Sequence, residues 1–301
     1  MDYRADVGVP AGSDEILVNG VRLAIAREGS GPPVLCLHAI GHGARDYEAF
    51  SSLMRHRYEV LRLDWPGQGR SSPDREPVTS SRYAALIGGV VDALRLQPPI
   101  IIGCSIGGAA AIRYASQNPV VGLVLANSGG LIELTKSTRR ACLLFSRIFA
   151  AGSRGAWWYK AAFALFYRSV LRSPAALDQR KRIVKSAYET APVLAEAWRG
   201  FADAAQSDHR ALAITLDVPV LFAWAMQDRI NSFADAEPTI HQMKRAEVIK
   251  FQGGHAAFLE QPEQFAAAFD RFAKEILETR DTPALRKLEV ADPIARVGGR
   301  S

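Results

Sequence analysis

Ser105 stands in Gly103-Cys104-Ser105-Ile106-Gly107, a G-x-S-x-G pattern. A serine hydroxyl is a weak nucleophile. It becomes useful beside a base that takes its proton and a carboxylate that orients the base. Further along, the chain supplies Asp228 in Met226-Gln227-Asp228-Arg229 and His255 in Gln252-Gly253-Gly254-His255. Together these residue types can carry acyl transfer through a covalent acyl-serine. Each alone has a plainer reading: a turn serine, a solvated loop carboxylate, a satisfied loop histidine. Their weight as a set comes from where the local sequence places them.

The run Ile100-Ile101-Ile102-Gly103 predicts a strand that must turn sharply at Ser105 into a helix over Gly107 to Ser116. Glycines on either side of Ser105 relieve crowding in such a turn, and the helix N-terminus offers free N–H groups and a partial positive charge to an oxyanion. A strand over Val218 to Ala223 precedes Asp228, and one from Glu247 to Phe251 precedes His255. All three residues therefore fall on loops at the same strand ends.

Upstream, Asn19-Gly20 between Ile16–Val18 and Val21–Ile25 predicts an antiparallel hairpin. Strands are expected at Val34–His38, Glu59–Leu63 and Val120–Ala126, and helices over Ala44–Arg55, Ser80–Leu94, Asp235–Met243 and Glu263–Glu278. Short apolar runs alternating with helices predict an α/β fold whose mostly parallel central sheet is flanked by helices. From Gly129 to Thr215 the alternation gives way to long helical patterns, which read as an inserted all-helical cap. The expected organisation is a core of residues 1–128 and 216–278, a cap of 129–215, and a loose extension of 279–301 with two prolines and a Gly-Gly.

On these residues the chain resembles the α/β-hydrolase family in its capped, small-molecule form, from about Val18 to Glu278. Two more stretches join the resemblance: His38-Ala39-Ile40-Gly41, and Asp64-Trp65-Pro66-Gly67-Gln68-Gly69-Arg70-Ser71, which is similar to the family's D-x-P-G-x-G-x-S loop. The family's His-Gly pair appears here as His38-Ala39, a departure expected to stiffen the turn. The resemblance implies a Ser105, Asp228, His255 triad, an oxyanion hole of the Ile40 and Ile106 backbone N–H groups, and no metal or cofactor. It also implies hydrolysis of a small-molecule carboxylic ester, with amide, lactone or thioester close behind. An acyltransferase using the same acyl-serine, or a non-catalytic ligand receptor on this scaffold, would carry the same residues. Haloalkane dehalogenases and epoxide hydrolases of this fold have aspartate at the nucleophile position. A carbon–carbon bond hydrolase stays an alternative to the esterase, although such relatives usually have tryptophan after the histidine, where this chain has Ala256.

Composition agrees with a soluble globular protein: 48% apolar and 23% charged among 301 residues excludes disorder, collagen or coiled coil as the main state. No apolar run reaches the ~18 residues of a membrane span, and the polar start MDYRADVGVPAGSDE lacks the order of a secretory signal, so a cytoplasmic location is expected. The odd, scattered Cys36, Cys104 and Cys142 predict reduced thiols, with Cys104 a packed neighbour of the nucleophile. His38 and His42 lack a third ligand and predict no metal site.

A net charge of +6 without a long basic run implies no nucleic acid and leaves a small-molecule substrate as the expected partner. Residues 131–215 nevertheless hold 14 Lys/Arg against 6 Asp/Glu, which predicts either attraction of anionic substrates or a solvated outer face. Trp157-Trp158-Tyr159-Lys160 beside arginines is a weaker pointer to a membrane surface. With Phe163, Phe166 and Tyr167, these aromatics fall at spacings of three and four on one expected helix. Packing is their plain reading, and Trp157, Trp158 and Phe163 are the candidates for substrate contact.

Overall fold

The structure, a computed structural model, describes residues 15–281. Asn19 and Gly20 both take positive φ (48° and 83°), the backbone a two-residue hairpin turn requires, and join β1 (Glu15–Val18) to β2 (Val21–Glu28). β3 (Pro33–Leu37), β4 (Glu59–Leu63), β5 (Ile100–Cys104), β6 (Gly122–Ala126), β7 (Val220–Ala225) and β8 (Ala246–Phe251) complete one sheet in the order β1-β2-β4-β3-β5-β6-β7-β8. β2 pairs antiparallel with β1 and β4, and every pairing beyond β4 is parallel. β5, β6 and β7 are buried at every residue, as a sheet covered on both faces demands.

The predicted helix over Ala44–Arg55 divides into a 3-10 turn, Ala44–Tyr47, and α1, Glu48–Met54. Tertiary bonds fix the break: the Ala44 N–H donates to Asp64 (2.7 Å) and the Tyr47 hydroxyl to the Leu37 carbonyl (3.0 Å). α2 (Ser80–Ala93), capped by Thr79, packs on α3 (Ile106–Ala115). β6 and β7 each begin two residues later than their apolar runs suggest: Val120 and Val121 after Pro119, and Val218 and Pro219 before Val220, belong to the connections.

Between β6 and β7 lie only helices: α4 (Lys136–Ser153), α5 (Tyr159–Val170), a 3-10 turn (Pro174–Ala176), α6 (Leu177–Lys185), α7 (Ala187–Gly200), α8 (Ala204–Ser207) and α9 (Arg210–Thr215). This insertion has its own aromatic centre. Phe149 is 1% exposed, with the rings of Phe163, Phe166 and Trp198 at 6.3, 5.8 and 6.0 Å. Burying such a side chain contributes about 1.5–3 kcal/mol, so the insertion holds its shape through its own packing. It returns to the sheet where the His209 N–H donates to the Gly130 carbonyl (2.8 Å).

α10 (Phe233–Ile240), α11 (Ala257–Glu260) and α12 (Pro262–Asp281) follow, with α12 against α1. α12 continues past Glu278, so the stretch read as a loose extension from Thr279 begins as helix; residues 282–301 and 1–14 lie outside the described residues. Among the described residues no helix is long and apolar enough to cross a membrane.

Candidate active site

Ser105 links β5 to α3 with φ 54° and ψ −119°, a conformation costing a non-glycine residue about 1–3 kcal/mol. The surroundings hold it there. Its carbonyl accepts from the Gly129 N–H (2.9 Å) and the Ala109 N–H (3.1 Å). A Cβ on Gly103 would stand 2.7 Å from the Gly108 nitrogen, and one on Gly107 2.6 Å from the Leu37 carbonyl oxygen. The motif glycines thus serve close backbone approach. Ile106 opens α3, so its N–H has no intrahelical acceptor.

Asp228 and His255 sit on the loops after β7 and β8, at the same edge of the parallel sheet as Ser105. His255 Nδ1 donates to Asp228 Oδ2 across 2.7 Å, with Asp228 8% and His255 3% exposed. The same oxygen accepts from Asn127 Nδ2 (2.8 Å), and Oδ1 from the Ile230 N–H (2.8 Å). Three donors aimed at one buried carboxylate fix its orientation and, through it, the imidazole tautomer. Asn127, fully buried at φ 44°, also exchanges bonds with both backbone groups of Ala225, joining the ends of β6 and β7. The Cys104 thiol donates to the His255 carbonyl (3.5 Å), so the nucleophile's neighbour touches the histidine loop. Burial pushes that thiol well up.

Buried Glu260 braces the same loop. Its Oε1 accepts from the Gly254 N–H (2.7 Å) and its Oε2 from the Arg172 and Ser173 N–H groups (2.9 and 2.5 Å), while the His255 N–H donates to Val170 (2.7 Å). The histidine loop is thereby bonded to the end of α5. Burial raises the Glu260 carboxyl above its usual range, partly offset by these N–H donors.

The loop after β3 carries Ile40, 7% exposed, whose N–H meets no acceptor among the described residues. The Asp64–Ser71 loop supports it: Gln68 Oε1 accepts from the Gly41 N–H (2.6 Å), and His38 Nε2 accepts from the Trp65 N–H (3.0 Å). The positive φ of this turn falls on Gly41 (+76°), so alanine at position 39 meets no left-handed requirement. His38 is fully buried with Nδ1 donating to Ala39 (2.7 Å), and burial lowers its basicity.

Of the aromatics singled out in the sequence, Trp157 and Trp158 precede α5 and are 89% and 38% exposed, with Trp157 turned to solvent. Phe163 is buried against Tyr159 and Tyr167 inside the insertion. Tyr167 instead reaches the site loop: its hydroxyl lies 2.9 Å from where a Cβ on Gly41 would be. Asn127 and Glu260 are the residues that sequence reasoning missed. Gln68 stood inside a recognised motif and Tyr167 inside the run of aromatics, each without a role of its own.

Among the described residues no three His, Cys, Asp or Glu side chains come together as a metal site. Comparisons with known proteins bear on the fold and the family. An uncharacterized protein of Mycobacterium bovis is 30% identical over 118 residues, 38% of this chain and 35% of that protein; the match thus spans about a third of the length of the first curated relatives. In structure the chain is similar to a bacterial membrane phospholipase A (TM-score 0.74, 22% identity, 89% of this chain and 86% of that one). It is also similar to a thermophilic esterase from Thermogutta terrifontis (TM-score 0.73, 17% identity, 87% and 98%). The model of the alpha/beta hydrolase family matches residues 34–268, most of the chain, and so this protein belongs to that family.

Proposed function

We propose that this protein is a serine hydrolase that cleaves a small-molecule carboxylic ester through an acyl-enzyme, with the inserted helices serving as a cap over the site. The observation that carries the reading is the His255–Asp228 bond at the sheet edge where the strained Ser105 turn stands. Ser105 Oγ attacks the scissile carbonyl and passes its proton to His255 Nε2. Asp228 holds the ring so that this nitrogen is the free one. The carbonyl oxygen gains charge between the Ile40 and Ile106 N–H groups, whose backbone positions cost no reorganisation during reaction. Collapse expels the alcohol with the proton returned from His255, leaving an acyl-serine. A water, deprotonated by the same imidazole, then releases the acid and restores Ser105.

Asn127, Gln68 and Glu260 act as positioning residues in this scheme. The buried, free state of Cys36, Cys104 and Cys142 accords with a reducing, cytoplasmic setting. Mass spectrometry after treatment with a fluorophosphonate tests the assignment. A single adduct on the Ser105 peptide, absent from Ser105→Ala, is expected. An adduct that persists in Ser105→Ala, or one on Cys104, overturns it.

A further inference from the structure

One stretch of the insertion carries positive charge alone. Residues 134–177 contain eight Lys/Arg and no Asp or Glu. All eight cations are exposed, and none of their side chains makes an ion pair or hydrogen bond among the described residues. Elsewhere in the same insertion Lys181, Arg182 and Arg210 each meet a carboxylate.

Large apolar side chains stand out among these unpaired cations. Of the nine that are exposed among the described residues, five lie in this stretch, with Leu144 55%, Leu165 69% and Trp157 89% exposed. Helical spacing sorts them onto outer faces. Lys136, Arg140, Leu144 and Arg147 recur every three or four residues along α4, opposite the buried Cys142 and Phe149. Trp158, Ala161, Leu165 and Arg168 recur in the same way along α5, opposite the buried Phe163 and Val170. The connection between the two helices sets Trp157 between Arg154 and Lys160. Its backbone is fixed: Gly155 takes φ 76° and gives its N–H to the Gly152 carbonyl (2.9 Å), while the Ala156 carbonyl accepts from the Tyr159 N–H (3.0 Å) and the Tyr188 hydroxyl (3.1 Å). The turn therefore presents the indole to solvent from an anchored position.

A merely solvated face mixes both signs of charge and keeps its large rings inward. A nucleic acid would use the cations but has no place for Leu144 and Leu165. The boundary between lipid headgroups and acyl chains takes both, since leucine and tryptophan enter the apolar side while Lys and Arg meet the phosphates. We propose that the outer face of α4 and α5, with the Trp157 turn at its tip, docks peripherally on an anionic phospholipid surface. Each Lys or Arg near such a surface raises binding about fivefold, a gain that fades beyond a Debye length of ~10 Å at 0.1 M salt. This docking is a property of the insertion's outer face and holds whichever reaction the Ser105 site carries.

Flotation of the full chain with phosphatidylcholine vesicles, plain or containing about a quarter phosphatidylglycerol, tests the face. Binding to the anionic vesicles should exceed binding to the neutral ones by about tenfold or more at low salt, and should weaken as salt rises. Arg154→Glu with Lys160→Glu should lower it about tenfold or more, and Trp157→Ser, which removes the exposed ring and leaves the charge, about fivefold. Arg95→Glu with Arg245→Glu makes the same charge change at exposed positions before β5 and β8, at the opposite strand ends, and should leave binding unchanged. Thermal melting checks that each variant is folded. No binding to anionic vesicles, equal binding to neutral ones, or equal losses in the two double variants overturns the docking face. Capture of a single-stranded RNA that Trp157→Ser leaves unchanged, without capture by vesicles, would assign the cations to nucleic acid and overturn it as well.

Discussion

The two imidazole–carboxylate pairs are alike in bond length, 2.7 Å for His255–Asp228 and 2.5 Å for His42–Asp46, and unlike in what holds them. Asp228 takes its other bonds from Asn127 and the Ile230 backbone, all on core loops at the ends of β6 and β7. Asp46 takes its other bonds from Gln179 and Arg182, side chains on a helix of the insertion. The first pair is thus preorganised by the sheet and the second by how the insertion docks. A fold that carries many reactions needs this division, because the reacting groups must not move when the pocket is remodelled.

The largest expected effect breaks the core pair. In Asp228→Asn the amide presents a donor or a poorer acceptor to His255 Nδ1, favouring the wrong tautomer, and kcat on a chromogenic ester should fall about 10⁴-fold. Full activity in that variant would assign the role to another carboxylate.

Next comes a place where the insertion touches the core pair's loop. Glu260→Gln puts an amide NH₂ against one of the three N–H groups that the carboxylate serves, loosening the His255 loop. We expect kcat to fall roughly ten- to hundredfold with a smaller change in KM, the signature of lost alignment. A change confined to KM would remove Glu260 from the positioning role. Its raised carboxyl supplies a second readout. The folded protein keeps this proton at a pH where the unfolded chain has lost it. The contribution is therefore fully present below the ordinary glutamate range, about pH 4, and is lost as pH rises through the raised folded value. Melting temperature against pH should show that loss in the wild type relative to Glu260→Gln; parallel curves would contradict it.

Asp46→Asn breaks the second pair. It removes a charged acceptor serving His42, Arg182 and Gln179, at a cost of about 1–3 kcal/mol measured by urea unfolding. Its effect on kcat should be smaller than that of Glu260→Gln, since His42 does not move the proton of Ser105. A kcat loss as large as that of Asp228→Asn would erase the distinction between the pairs. The smallest effect is at Cys104: with its thiol kept protonated by burial, iodoacetamide should label it only after unfolding, as peptide mapping would show. Fast labelling of the native protein would mean that the thiol is open to solvent.

What the sequence settled by itself was local. Apolar runs between helices predict strands of a parallel sheet, fully buried in β5 and β7 and only partly buried in the edge strand β8, so the loops bearing Ser105, Asp228 and His255 had to lie at the same strand ends. Gly103 and Gly107 around Ser105 announced the tight turn, and Asn19-Gly20 the hairpin. What holds the site together depended on pairs far apart in the chain. Glu260 with Arg172, Asn127 with Asp228, Gln68 with Gly41 and Tyr167 beside His42 follow no period or spacing that a single sequence displays. The exposed Trp157 shows the same limit from the other side, since a run of aromatics fixes an amphipathic segment but not which of them meet the core. Only the docking of the helices between β6 and β7 decided that, because side chains separated by a hundred residues become neighbours when tertiary packing, and not local propensity, chooses their contacts.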